Sequence, residues 1–295
     1  MNAQIDKPTV LVTGANGQLG NELREISINY SGYHFLFTSH NDLPVENIQR
    51  VESFFKKNEI AYCINCAAYT AVDKAESEEE AAFQINATAV GNLAKVCFKN
   101  NAKLVHISTD YVYDGSDSKP LKESSPVGPV NVYGASKLKG EELALQNDPS
   151  VLIIRTSWVY SSFGNNFVKT MIRLLSEKEE INVINDQQGC PTFAADLADV
   201  IMKLVAQIQE GKNFSGIVNY CNSGITTWYD FAVEIRSLIN SHCKINPIPS
   251  SAYKTAATRP KYSVLDTTKI SEWLQSDIPS WKESLKKCVE LLRSR

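Results

Sequence analysis

The sequence predicts an α/β protein: a doubly wound parallel sheet followed by a smaller C-terminal α/β lobe. Three observations carry that reading. Short apolar, β-branched runs alternate with amphipathic helical patterns through the first half of the chain. Those runs are apolar throughout, as expected of strands covered by helices on both faces. The first run ends in a glycine-rich turn that opens directly into a helical pattern.

The elements follow in order. "PTVLVTG" is the first strand and "QLGNELREISIN" the first helix. "HFLFTS" and "YCINCA" are further buried strands, separated by the helical "ENIQRVESFFKKN". "EEEAAFQINATAVGNLAKVCFKNN" is helical, and "KLVHISTD" returns as a strand. A loop rich in Ser, Pro, Gly and Asp, "YDGSDSKPLKESSPVGPVN", then leads into the helix "SKLKGEELALQN". "SVLIIRTSWVY" closes this half as a strand. After about Ser161 the rhythm changes to "NNFVKTMIRLLSEKE", "INVIND", "DLADVIMKLVAQIQEG", "SGIVNYCNSG", the Thr-capped "TTWYDFAVEIRSLINSH" and a last helix, "PSWKESLKKCVELLRS".

Composition excludes several classes. With 30 Lys and Arg against 33 Asp and Glu, the net charge of −3 gives no basic field for nucleic acid or anionic lipid. No run approaches the about 18 apolar residues of a membrane span, and the N-terminus lacks a signal-peptide pattern. A cytoplasmic protein is expected. The seven cysteines include Cys63-x-x-Cys66, but within a buried strand and without a second pair or His cluster. They read as small buried residues in a reducing compartment, and no metal site is expected.

"TGANGQLG" sets Gly14, Gly17 and Gly20 between the first strand and the first helix. Glycine permits the tight turn and lets backbone amides approach a pyrophosphate, and the helix N-terminus favours its charge. In an alternating α/β chain this context marks a Rossmann-like dinucleotide site built on Gly14, Asn16, Gly17, Gln18, Leu19 and Gly20. The dinucleotide-binding domain then spans 1–160, with a return near 190–215, and 161–295 is mainly a substrate domain. An acid ending the second strand would favour NAD. Here Thr38, Ser39 and His40 come first and Asp42 lies further on, so NADPH is expected, with NADH as the alternative.

"VYGASKLKGE" places Tyr133 and Lys137 one helical turn apart. A nearby ammonium lowers the proton affinity of a phenol, so Lys137 is expected to bring Tyr133 down from its ordinary value near ~10. "HISTD" offers Ser108 and Thr109 at the C-terminal end of a strand, where open α/β sheets bind ligands. A hydroxyl there can polarise a substrate carbonyl. His106, within the same strand, is expected to pack. Trp158 is equally a stacking surface or a packing residue, and Asn165 and Asn166 read more readily as helix caps than as ligands.

Together the glycine turn, "INCAAYTAVDKAE", "STDYVYDG", "NVYGASKLKGE", "RTSWVY", "GNNF" and "RPKYSVLDTTKI" resemble the extended short-chain dehydrogenase/reductases. Within them the likeness is to the dTDP-4-dehydrorhamnose reductase branch, from about Val10 to beyond Lys269. The resemblance implies Tyr133 as proton donor, Lys137 as its cofactor-holding partner and Thr109 as the hydroxyl that tunes the site. It implies cofactor contacts at Gly17, Gln18, Leu19, Ala68, Tyr69 and Thr70, and sugar contacts at Asp110, Tyr111 and Trp158. Arg259 would meet the nucleotide diphosphate, since a guanidinium can bond phosphate in two places. After the second strand this chain departs from the family's Leu-Asp-Ile: Pro44 intervenes and Val45 matches the Ile.

The implied activity is NAD(P)H-dependent reduction of the 4-keto group of a dTDP-sugar to dTDP-L-rhamnose, a precursor of cell-surface polysaccharide. Two other readings share these features. One is a nucleotide-sugar epimerase or dehydratase, although Asp110 is not followed by the Glu of dehydratases. The other is a non-catalytic subunit like the regulatory partner of methionine adenosyltransferase. The assembly state is open, a homodimer included.

Overall fold

The computed structural model describes residues 7–294. The chain runs β1 (Thr9–Thr13), α1 (Gln18–Ile26), β2 (His34–Thr38), α2 (Ile48–Asn58), β3 (Ile60–Asn65), α3 (Val72–Ala75) and α4 (Glu79–Phe83). A π-helical turn, Gln84–Thr88, joins α4 to α5 (Ala89–Lys99). Then come β4 (Lys103–Thr109), α6 (Val132–Asn147), β5 (Leu152–Thr156), β6 (Val159–Tyr160) and α7 (Phe167–Glu177). The remainder is β7 (Glu180–Ile184), β8 (Gln188–Gly189), β9 (Thr192–Phe193), α8 (Ala194–Gln209), β10 (Gly216–Asn219), β11 (Thr226–Thr227), α9 (Trp228–Leu238), β12 (Lys244–Ile248), α10 (Thr268–Leu274) and α11 (Trp281–Ser294).

Among the described residues, six strands form one parallel sheet in the order β10-β5-β4-β3-β1-β2. The order reverses at β1, which pairs with β2 on one side and β3 on the other. That is the topological switch point, and the crevice at its C-terminal edge is where such sheets bind ligands. Both faces are covered. Leu19 and Leu23 of α1 and Leu197, Ile201 and Val205 of α8 pack on one face. Val51 and Phe55 of α2 and Val90, Leu93 and Ala94 of α5 pack on the other. "SGIVNYCNSG", which the sequence placed in the second half by position, supplies β10 and pairs with β5 at the sheet edge.

The second lobe has its own core, in which Phe231, Ile235, Val168, Leu175, Trp281 and Leu285 meet. Among the described residues its sheets are two-stranded: β7 with β12, β8 with β11, and β6 with β9. Beneath the junction lies a buried ion pair. Arg155 Nη2 reaches Glu141 Oε2 at 2.6 Å, and Glu141 Oε1 also accepts from Ser108 at 2.5 Å. This pair ties β5 and β4 to the middle of α6, and so fixes the helix that carries Tyr133 and Lys137. Removing one member would strand the other charge in the core.

Candidate active site

Between the lobes lies one cleft of about 840 Å³. It starts at the glycine turn. Gly14 adopts φ +63°, and a Cβ there would lie 2.6 Å from the Ala67 backbone nitrogen, so glycine is required on both counts. The N-cap of α1 is Gly17, with no side chain bonded to the first-turn N–H groups. Those donors, with the positive end of the helix, suit a pyrophosphate. Asn16, Gln18, Leu19 and Gly20 complete this wall.

Ser39, His40 and Val45 line the same end, as do Leu43 and Glu46. Asp42 is not among the residues lining this end. Its carboxylate accepts from the Ser39 backbone N–H at 2.9 Å and from the Ser39 hydroxyl at 2.6 Å, which holds it below the ordinary carboxylate value. His40 pairs with Glu46 at 2.6 Å. The loop after β3 contributes Ala68 and Thr70. Asn86, in the π-helical turn, clamps this loop: it accepts from the Tyr69 N–H at 2.9 Å and donates to the Tyr69 carbonyl at 3.0 Å. The Tyr69 side chain instead donates to Glu78 on the surface.

The other end holds Thr109, Asp110, Tyr111, Tyr133 and Lys137. Asn131 caps α6 by accepting from the Gly134 N–H at 2.7 Å, which starts the helix at Val132, one residue before Tyr133. Lys137 is 2% exposed. Desolvation brings it down to about 8, against the opposing pull of Glu141 and Cys66. Tyr133 opens onto the cleft but is otherwise enclosed, and desolvation pushes it up to about 12 despite the Thr109 hydroxyl beside it. The direction is opposite to the lowering expected from Lys137: enclosure sets it and the Asp110 charge adds to it. Thr109 donates to Asp110 Oδ1 at 3.1 Å. Burial drives Asp110 up to about 6. The Tyr111 ring meets Tyr133 edge-on at 5.5 Å.

A phenol that keeps its proton at neutral pH, a buried amine and a strand-end hydroxyl thus share one cavity with a glycine-lined helix N-terminus. The arrangement can bind a dinucleotide and protonate a developing alkoxide. A model of the RmlD substrate binding domain family matches residues 8–294. The chain belongs to this family.

Its relatives include several proteins named dTDP-4-dehydrorhamnose reductase. The dTDP-4-dehydrorhamnose reductase of Aggregatibacter actinomycetemcomitans is 38% identical over 287 residues, covering 94% of this chain and 97% of that protein. A solved dTDP-4-dehydrorhamnose reductase from Clostridium acetobutylicum superimposes with a TM-score of 0.91 at 40% identity, covering 97% of this chain and 99% of that one. The Bacillus anthracis enzyme, solved in complex with NADP, gives 0.92 at 39% identity with the same coverage.

Two expected contacts of this RmlD-family chain lie elsewhere. Arg259 is not on the cleft wall. It spends its guanidinium on Asp73, at 2.6 and 3.2 Å, and on the Ala257 carbonyl. Tyr69 is not on the wall either: its backbone is clamped by Asn86 and its hydroxyl donates to Glu78. Trp158 does line the cleft, with φ +47° and its indole stacked on Trp228 at 3.6 Å and 6°. Gly189 lies against the same indole, where a Cβ would come within 2.6 Å. Trp228 escaped the sequence reading; its signal was the Thr227 cap, which places it first on α9. Asn166 caps α7 and also donates to Gln18 Oε1 at 2.9 Å, joining the second lobe to the glycine turn. His106 does more than pack, since its ring nitrogens face Asn65 and Lys137.

Proposed function

We propose that the chain reduces the 4-keto group of dTDP-4-dehydro-L-rhamnose to give dTDP-L-rhamnose, with NADPH as reductant. The observation that carries this reading is the single cleft joining the α1 N-terminus to Tyr133, Thr109 and Lys137, in a member of this family. The free first-turn N–H groups and the glycine cradle fit a dinucleotide pyrophosphate. Ser39 and His40, with no acid on the strand end, fit the adenosine side. A bound reduced dinucleotide supplies the hydride.

The chain's own residues handle the proton. At neutral pH Tyr133 is a neutral phenol, so it is already charged with the proton it must give. The oxygen of a reduced carbonyl is a stronger base than this phenolate, so transfer from Tyr133 Oη is downhill. Thr109 turns its hydroxyl from Asp110 to the same oxygen and orients the carbonyl. The Lys137 ammonium holds ribose hydroxyls and stabilises the phenolate that remains. General acid assistance of this kind is worth ~10² to 10⁴ in rate. Trp158, backed by Trp228, presents a flat apolar face to the sugar nucleotide. We place the enzyme in the cytoplasm, in keeping with cysteines that are all free thiols among the described residues. No helix among those residues is long and apolar enough to cross a membrane.

The direct test mixes the protein with NADPH and dTDP-4-dehydro-L-rhamnose, made in situ by the enzymes that form it. Nicotinamide absorbance should fall only when all components are present. No loss above the control lacking this protein would reject the reading.

A further inference from the structure

Lys137 has a buried neighbour that the reaction scheme leaves unused. Its Nζ donates to the Ile107 carbonyl at 2.6 Å and lies 3.3 Å from His106 Nε2. The opposite ring nitrogen, Nδ1, lies 3.0 Å from Asn65 Nδ2. Lys137, His106, Asn65 and Thr13 are all buried, with His106 at 0% exposure.

The orientation of Asn65 decides where the imidazole proton sits. The Ala67 backbone N–H reaches Asn65 Oδ1 at 3.2 Å, and the Thr13 hydroxyl reaches it at 2.6 Å. A backbone N–H can only donate, so that atom is the amide oxygen. The amide nitrogen therefore donates to His106 Nδ1, which must carry a lone pair. Burial first, and the Lys137 charge second, hold His106 well below its ordinary value, so the ring is neutral. Its one proton is then on Nε2, aimed at Lys137 Nζ. An ammonium there meets a second donor, whereas a neutral amine can accept from it.

We propose that His106, locked by Asn65 as the Nε2–H tautomer, is a positioning residue that lowers the proton affinity of Lys137 and couples proton uptake at Lys137 to dinucleotide binding. The proposal rests on the dinucleotide reading of the cleft. The other groups facing Lys137 do not substitute for it, and Glu141 and Cys66 pull its proton affinity the other way. Cys66, following β3, is a thiol that burial pushes up and keeps protonated. Glu141, one turn along α6, is held by Arg155 and Ser108. Tyr133, one turn back, is a neutral phenol, and Asp110 is engaged by Thr109. Ribose hydroxyls add acceptors to the Ile107 carbonyl that an ammonium already meets on this wall. As they dock, Nζ takes one proton from solvent, one N–H bond forms, and nothing is oxidised or reduced. The resulting ammonium gives up its proton more readily than an ordinary lysine, which suits a group that must restore Tyr133.

Calorimetric titration with NADPH, repeated in buffers of different ionisation enthalpy from pH 6.5 to 9.5, reads the coupling. At pH 6.5 Lys137 is charged with or without ligand, so no proton should be taken up. Above about 8, where the free chain loses the Lys137 proton, uptake should approach about one proton per site and log Kd should rise with pH toward unit slope. Nitrogen-15 NMR should show His106 protonated on Nε2 alone.

In Asn65→Asp the carboxylate accepts from Nδ1–H and turns the ring's lone pair toward Lys137. In His106→Asn the Nε2–H is removed without adding charge. Both should move the onset of uptake upward by about one pH unit. Normal NADPH binding without proton uptake in the wild type would overturn the proposal and leave the dinucleotide reading standing. So would an unmoved onset in the variants, while absence of NADPH binding would overturn both. Should Asn65→Asp fail to fold, His106→Asn and the wild-type tautomer decide.

Discussion

The two ends of the cleft are built by different means. At the glycine turn the groups offered to a ligand are backbone N–H donors, and their placement follows from local conformation: a positive φ at Gly14, a helix N-cap at Gly17. At the Tyr133 end the working groups are side chains from β4, α6, the loop after β5 and α9, held by partners distant in sequence. The first end depends on the absence of a side chain, the second on burial of several. Backbone sites should therefore fail by strain, and the side-chain site by loss of a proton or of packing.

The largest break is expected at Tyr133. Tyr133→Phe should lose ~10² to 10⁴ in turnover while NADPH binding, read by fluorescence titration, stays near wild type. Unchanged turnover would remove Tyr133 from the mechanism. At the opposite end, Gly14→Ala meets about 1–2 kcal/mol of left-handed strain as well as the Ala67 backbone. NADPH affinity should fall by about tenfold, with a lower Tm, and the kcat of the remaining saturated enzyme should change little. A reversed pattern, with kcat lost and affinity kept, would contradict the division of labour.

Asp110 sharpens the comparison through pH. Its folded value of about 6 lies above the ordinary carboxylate value of 3.8. The folded state thus binds this proton more tightly than the unfolded chain. Above pH 6 the buried charge costs stability, and the cost vanishes below about pH 4, where both states are protonated. Asp110→Asn should accordingly stabilise by on the order of 2 kcal/mol at pH 7.5, and the gain over wild type should shrink toward zero at pH 4. A pH-independent difference in Tm would exclude this account. The smallest effect is expected at the indole pair: stacking is worth about 0.5–1.5 kcal/mol, so Trp228→Ala should raise the KM for the sugar nucleotide roughly two- to tenfold and leave kcat nearly intact.

What could be read from the sequence divides along the same line. The glycine turn, the Tyr133–Lys137 spacing and the Thr109 strand end are local patterns, and local patterns fix local geometry. The alternation of apolar runs and helices likewise specifies a covered parallel sheet. The pairing of Asn65 with His106, the stack of Trp158 on Trp228 and the Asp73–Arg259 bridge join residues 41, 70 and 186 positions apart. Nothing in a single segment announces such partners. The Tyr133 reversal has the same origin: spacing reveals the nearby lysine, but desolvation belongs to the assembled cleft. β10 shows it for the fold, since a short apolar run does not say which sheet it will join.

The central claim is that both ends act on one bond: hydride reaches the sugar carbon from the dinucleotide while Tyr133 protonates its oxygen. Turnover with NADPH deuterated at both C4 positions, followed by NMR of the sugar nucleotide, tests it. The account predicts one deuterium per product molecule, bound to C4 of the hexose. Deuterium at another sugar carbon, or product formed without deuterium, would contradict it.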